Sequence, residues 1–575
     1  MKVVLPKDLR GVLFSRTLLI ELNGFDIDLF LPALFYTILG EGRGRARRTN
    51  DAKAIGKYVD RLSQHVELEG FADRDGRRVL ERLVRTSLIV TGKVGTAKRG
   101  EQILATVPYT LLAHKPGFPT ESSRQRNVDA FIYQLLRDRL GGEDSLRKFV
   151  KDVFGKGLRL DPPPALGGAY DGKTPLDTLT RLSLAFLDGF DAIGTGLSRS
   201  RRARSACPRQ AHEFATDLLR YLFTYHTLMS AQALTYNLQA LINWELFAYT
   251  LKLVHAINAL VREPETLPPA VQEDGVGSSP TVYLDFTQGK SGLSREMASA
   301  CVRRDLEAYQ QFLGSNLRLR LLDGYAEKLK RNPTRRAAIE AILPPHDEGP
   351  RYLQGLLLLQ QNSRCGPFVE ALALVDEGRI REANLHGEEE DDPEALRWLD
   401  VIVEGAESDV DRVVTLLVEG QQKSALKNFT SWFTGVGGLI KPHGVLQGTV
   451  RSRASWRYAP SNDLLAVLVQ LAAARAMTDG GASRSSERDG DVGPQPIRLQ
   501  DFLGFLNQRF GIVVDQPPES FSGADYAAAA RDNLGAMLGR LRQMGIFRDL
   551  SDDFTVQRLQ PPYTSEPTLW RKVRG

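Results

Sequence analysis

The sequence predicts a mainly α, multidomain protein, with α+β winged-helix-like modules near both ends. Three observations carry that expectation. Apolar residues recur at three- and four-residue steps through most of the chain, and Pro- and Gly-rich breaks divide those stretches. The 575 residues also exceed what one hydrophobic core holds, enough for roughly three or four domains. With 42% hydrophobic and 25% charged residues, the composition excludes a disordered or fibrous chain.

The first expected segment, 1–120, is α+β. Asp51–Glu69 and Asp75–Arg85 have helical spacing, with Val79, Leu80 and Leu83 on one side. The β-prone runs Thr86–Gly92 and Glu101–Val107 then flank a loop holding Lys93, Lys98 and Arg99, which is a hairpin signal. A helix leading into a basic-tipped hairpin is how a winged helix-turn-helix ends; the plainer reading is a surface hairpin kept soluble by its cations. The second segment, 121–197, is helical from Asn127 to Gly155, broken at Asp161–Pro164 and Gly167–Gly168, and helical again over Pro175–Phe190. Ser198–Ser205, without an apolar residue except Ala203, reads as an exposed linker.

The third segment, 206–343, is the most helical. Phe214, Leu218, Tyr221, Leu222, Tyr225 and Met229 share one face. Apolar residues surround the helix over Trp244–Leu260, as expected at the centre of a bundle. Pro268–Pro280 is a linker, Thr281–Phe286 a short strand, and helices follow over Ser294–Leu313 and Asn316–Lys330. The fourth segment, 350–480, carries helices over Tyr352–Gln361, Pro367–Asp376, Glu394–Glu404 and Asp409–Gly420, with no fixed repeat period. After the polar stretch Gly480–Pro496 comes the fifth, winged-helix-like segment, 497–575. There Leu499, Leu503, Leu506 and Phe510 line one helix that Gly511 closes, a second helix spans Ala524–Met544, and Phe554–Leu559 is a possible strand.

No membrane association is expected. The apolar run at Leu29–Leu39 is too short to span a bilayer, and Thr227–Val261 is interrupted by Asn237, Gln239, Asn243, Glu245 and Lys252. The first residues lack the ordered regions of a secretory signal, and the three scattered cysteines suit a reducing compartment. The expected location is the cytoplasm.

Catalytic and metal chemistry finds no complete motif. His212–Glu213 begins a zinc-protease pattern, but Thr216 stands where the second histidine belongs. His226 and His255 sit on apolar helices and read as hydrogen-bonded packing residues. Gly289–Lys290–Ser291 resembles the end of a phosphate-binding loop, yet Leu284 replaces its first glycine. Gly435–Lys441 reads as a helix-ending loop. Ser145/Lys148 and Ser424/Lys427 match Ser-x-x-Lys without the partner motifs of that enzyme class. Asp171–Gly172–Lys173 has the acid-x-lysine end of a metal-dependent nuclease site. The expectation is no catalytic residue, no metal and no cofactor.

Positive charge concentrates locally although the net charge is only +5. The stretches are Arg43–Arg48, Lys93–Arg99, Arg199–Arg209, Arg318–Arg336 and Arg451–Tyr458. Such density attracts a phosphate backbone, and the last stretch interleaves arginine with aromatics that could stack on bases. The candidate DNA contacts are Lys93, Lys98, Arg99, Arg199, Arg201, Arg202, Arg204, Arg451, Arg453, Trp456 and Arg457.

Two blocks, Ser455–Leu465 and the end of the chain from Asp501–Leu506 through Gly545–Gln557 to Pro561–Tyr563, resemble an accessory subunit of bacterial methylation-associated anti-phage defence systems. Those multi-gene clusters pair a DNA methyltransferase with ATPase and kinase-like proteins, and related islands, including phosphorothioation-linked restriction, could share the blocks. The resemblance implies bacterial origin, phage defence and other defence-system subunits as partners. It transfers no active-site residue. The expected function is therefore a non-catalytic component engaging DNA and partner proteins, against two rivals: a divergent metal-dependent nuclease effector, and a protein-only scaffold.

Overall fold

The computed structural model describes residues 3–27, 30–39, 54–65, 68–91, 103–106, 126–155, 157–159, 169–176, 204–269, 280–343, 349–385, 393–479, 493–548 and 557–564, with a few single residues between them. The architecture is mainly α. Its centre is the 32-residue helix Ala231–Arg262, capped by Ser230, whose hydroxyl accepts from the Ala233 amide at 3.2 Å. Every residue from Leu238 to Val254 is buried. A helix apolar on all sides needs neighbours all round, and Pro208–Tyr225, Gly292–Lys330, Asp409–Val436 and Asn462–Asp479 supply them. The face of Pro208–Tyr225 carrying Phe214, Leu218, Tyr221 and Tyr225 is the buried one.

The expected pair of helices over Ser294–Leu313 and Asn316–Lys330 is one continuous 39-residue helix, Gly292–Lys330. Gly314 and Ser315 are weak helix formers, but packing outweighs propensity here. Gly314 faces Val418, Ser315 Oγ donates to Asn258 Oδ1 at 2.9 Å, and Asn316 Nδ2 donates to the Val12 carbonyl at 2.6 Å. Likewise Asp409–Val436 runs through Gly420, because Leu5 lies where a side chain at 420 would stand.

That leucine belongs to an N-terminal strap laid over the helices. Asn384 grips Val4 at both its amide and its carbonyl (2.9 Å each), Arg379 pairs with Asp8 at 2.7 Å, and Gln421 accepts from the Gly11 amide at 2.7 Å. Arg320 donates to the carbonyls of Asp8, Arg10 and Gly11.

The strands are short and pair in twos. Ile89–Thr91 and Ile103–Thr106 form the expected antiparallel hairpin after the Arg74–Leu83 helix. At the other end, helices Leu499–Phe510 and Ala524–Gln543 sit between Ile497–Arg498 and Arg558–Leu559, which pair with each other. Gly511, at φ 73°, closes the first of these helices. These pairings do not by themselves make a winged helix. Ile512–Val513 instead joins Val282–Tyr283 in a parallel pair across the expected segment boundaries. Most of the buried apolar residues form one cluster from Val3 to Leu559; Val59, Leu62, Leu80 and Val84, in the segment 54–88, are buried apart from it. Among the described residues, no helix is long and apolar enough to cross a membrane.

Candidate functional site

The site grows out of the hairpin formed by Leu446–Thr449 and Ser452–Tyr458. Its base is fixed by buried acids on neighbouring elements. Tyr458 donates its hydroxyl to Asp305 Oδ2 at 2.7 Å, and its carbonyl accepts from the Asp285 amide at 2.8 Å. Asp305 also accepts from Arg304 Nε at 2.8 Å and faces His255 Nε2 at 3.0 Å, so His255 has a structural partner.

Asp285 organises the loop that resembles a phosphate-binding motif. Its carboxylate accepts from the Thr287 amide (2.9 Å), the Thr287 hydroxyl (2.6 Å), the Gly289 amide (3.0 Å) and Ser294 Oγ (3.0 Å). Arg457 Nε donates to the same group at 3.2 Å. Amides that would cradle a phosphate in a nucleotide-binding loop are here turned onto the protein's own carboxylate.

The tip projects outward. Thr449, Val450, Arg451, Ser452, Arg453 and Ala454 are all exposed, Val450 by 67%. Neither tip residue, Val450 nor Arg451, has positive φ; the register shift falls instead at Gly448, at φ 144°, and adds local twist. Among the described residues no acid pairs with Arg451 or Arg453. The chain around them holds no local acid either: from Gly420 to Asn462 there is no Asp or Glu, but six Lys or Arg, of which Arg457 and Lys441 reach the distant acids Asp285 and Asp26.

Below the tip lies a groove. One cavity of about 420 Å³ is lined by Phe25, Leu439, Lys441, Val450, Arg453 and Trp456, and a second of about 220 Å³ shares Thr430 and Arg453 with it. Lys441 faces Asp26 at 3.5 Å across the larger one.

The predicted contact residues meet different fates. Lys93, Lys98, Arg99, Arg199, Arg201 and Arg202 lie outside the described residues. Arg204 is exposed, far in sequence from the hairpin. Arg451 and Arg453 come together at the tip. Trp456 is buried against Phe433 (ring centroids 6.5 Å, 18° between planes) and donates its indole N–H to the Thr449 carbonyl at 2.9 Å. At 3% exposure it is held in the core at the wall of the larger cavity rather than displayed on the surface. Arg457 is committed to Asp285. In the basic stretch Arg318–Arg336, Arg318 pairs with Asp411, Arg320 holds the strap, Arg335 lies 3.7 Å over the Phe368 ring, and Arg336 donates to the Lys330 carbonyl at 3.0 Å. Much of that charge is engaged within the protein itself.

Asp171 closes its own turn, accepting from the amides of Lys173 (2.8 Å) and Thr174 (2.9 Å) and from the Thr174 hydroxyl (2.6 Å). Among the described residues, no three His, Cys, Asp or Glu side chains gather where a metal ion could be held.

A buried charge cluster escaped sequence reading. Arg509 donates to Asp217 at 2.6 Å and Glu245 at 2.8 Å and lies 3.3 Å from Glu213; Lys252 donates to Gln210 at 2.9 Å and to the Arg509 carbonyl at 2.6 Å. Burial, with Asp217 alongside and against the pull of Arg509, pushes the Glu245 carboxyl up to about 8. Burial, with Arg509 beside it, brings Lys252 down to about 7. The signal in the sequence was Glu245 and Lys252 within an otherwise apolar helix, where charges stay buried only with partners.

The profile of the family described as methylation-associated defense system protein MAD7 matches residues 7–563. No curated protein and no solved structure matches the chain.

Proposed function

We propose, for a chain that belongs to the family of methylation-associated defense system protein MAD7, the role of a non-catalytic component that engages DNA and the other subunits of its defence system. One observation carries the DNA part of this reading: Arg451 and Arg453 stand exposed on a projecting hairpin, with no acid on either among the described residues, in an acid-free stretch of the chain. Two such cations supply phosphate contacts, which position a protein on DNA without reading base identity. The non-catalytic part is supported by the engagement of Asp171 in its own turn and of the Gly289 amide with Asp285. Engagement of the other subunits follows from the family's place in a multi-component system.

The test is a titration of duplex DNA against the full chain and its Arg451→Ala/Arg453→Ala double variant at several salt concentrations. The double variant should weaken binding evenly across sequences and lower the salt slope by about one for each phosphate no longer neutralised. Equal affinities and slopes would remove the hairpin from the reading. Cutting of plasmid DNA in magnesium or manganese, abolished by Asp171→Ala, would overturn the non-catalytic role in favour of the nuclease rival.

A further inference from the structure

The hairpin presents more than charge. Immediately before its two cations stands Val450, a β-branched apolar side chain 67% exposed at the turn. A second one, Ile440, 66% exposed, lies in the chain between Leu439 and Lys441, which line the larger cavity. Single exposed apolar residues are ordinary. Ile440, however, is held at φ 65°, a left-handed conformation that a β-branched residue rarely adopts and that is strained. The strain has a visible cause. The backbone folds on itself where Gly438, at φ 64°, meets Gly444, and the amides of Val445 and Leu446 both donate to the Gly437 carbonyl (2.9 and 2.8 Å). That crossing fixes the base from which the hairpin projects.

The rigidity continues to the tip. Ser455 Oγ accepts from the Thr449 amide at 2.9 Å and donates to the Ser452 carbonyl at 2.7 Å, and the Trp456 indole bonds the Thr449 carbonyl. The hairpin is thus a braced arm whose turn carries an exposed apolar residue followed by Arg451 and Arg453. A purely electrostatic contact requires neither the brace nor the valine. A narrow two-stranded arm with cations beside an apolar end matches what minor-groove proteins use to enter a duplex: the cations follow the groove and the apolar wedge slides into a base step, partly unstacking it and bending the helix. Charge decides the partner. Arg451 and Arg453 stand exposed with no acid paired to either among the described residues, so a polyanion is the complement of the tip, and a duplex offers both the phosphates and a stack for the wedge to enter.

We infer that the 446–458 hairpin inserts Val450 into the minor groove of duplex DNA as a wedge that bends it, Arg451 and Arg453 holding the flanking phosphates. This inference rests on the DNA reading proposed above. Its test uses the full chain with a short duplex bearing a donor and an acceptor dye at its ends and 2-aminopurine within. Wild type should shorten the end-to-end distance and raise 2-aminopurine fluorescence. Val450→Ser, an exposed and fold-neutral change, should bind within about threefold of wild type while losing both signals. Arg451→Ala/Arg453→Ala should lose affinity first. Bending by Val450→Ser equal to wild type, or wild-type binding without bending, would overturn the wedge and leave the DNA reading standing. Absence of duplex binding by wild type would overturn both, and saturable binding of poly-Glu in that case would assign the arm to an acidic protein partner.

Discussion

Arg457 donates through Nε to Oδ2 of Asp285 at 3.2 Å, although 172 residues separate them. The bond ties the hairpin to the loop that starts the Gly292–Lys330 helix. Asp285 is buried and already accepts from Thr287, Gly289 and Ser294, so the arginine closes a network whose other donors are local. A hydrogen bond to an ionised partner contributes about 1.5–3 kcal/mol, and orphaned buried groups cost more.

Arg457→Met should therefore destabilise the protein by about 1.5–3 kcal/mol, and Asp285→Ala, which strands several donors together with the guanidinium, by about 3–5 kcal/mol. Urea unfolding of both single variants and the double variant measures this. The double variant should cost clearly less than the sum, since the two groups share one network. Additive losses would mean that the pair does not couple.

The Arg509 cluster gives a pH dependence with a definite sign. Burial raises Glu245 to about 8 in the folded chain, against about 4.3 for an unfolded glutamate. Between those values the folded state binds more protons, so the stability due to Glu245 is complete below about 4.3 and falls as pH rises towards 8. Lys252, lowered to about 7, acts in the opposite sense, but only from there up to about 10.4. The interval from pH 5 to 7 therefore belongs to Glu245. Urea unfolding across it should show wild type losing stability relative to Glu245→Gln as pH rises. A constant difference would refute the protonated buried carboxyl.

Sequence reading succeeded where one element's own pattern decides the outcome. The all-round apolar helix, the face of Phe214 and Tyr221, the glycine stop at Gly511 and the hairpin after Leu88 are local in this sense, and the mainly α class follows from them. The resemblance carried by Ser455–Leu465 and the C-terminal block likewise led to the defence family whose profile covers residues 7–563. Where distant residues decide, local reading fell short. Gly314 and Ser315 look like a break until Val418 and Asn258 pack on them. Trp456 looks like a stacking platform among arginines until Phe433 covers it. Alternation along a strand sends neighbouring side chains to opposite faces, so Arg451–Tyr458 could not all be surface, and only the partners show which were not.

The crossing of Gly438 and Gly444 should tolerate no side chain. A Cβ on Gly444 would stand 2.0 Å from the Gly438 carbonyl oxygen, which is backbone and cannot turn aside. Gly444→Ala should cost about 1–3 kcal/mol by overpacking, or more if the amides of Val445 and Leu446 lose the Gly437 carbonyl. A thermal unfolding midpoint unchanged within a degree would contradict so tight a crossing. Gly539→Ala, where no atom lies within 4 Å of the added carbon, is the matched control and should be neutral or mildly stabilising.

Ile440 supplies the opposite case, a substitution expected to stabilise. Its side chain is 66% exposed, so removing it loses little buried apolar area, while its φ of 65° is a conformation that asparagine accepts far more readily. Ile440→Asn should gain about 0.5–1.5 kcal/mol through relief of backbone strain. Glycine should gain less, because the unfolded chain then has more conformational entropy to lose. Chemical unfolding of the three proteins ranks them Asn, Gly, Ile in decreasing stability. If Ile440 is the most stable, its exposed side chain contributes more than its backbone costs, and the strain is not a reservoir that substitution can release. If the ranking holds, the natural residue is retained at a stability cost beside the groove, the pattern expected where function rather than folding selects the side chain.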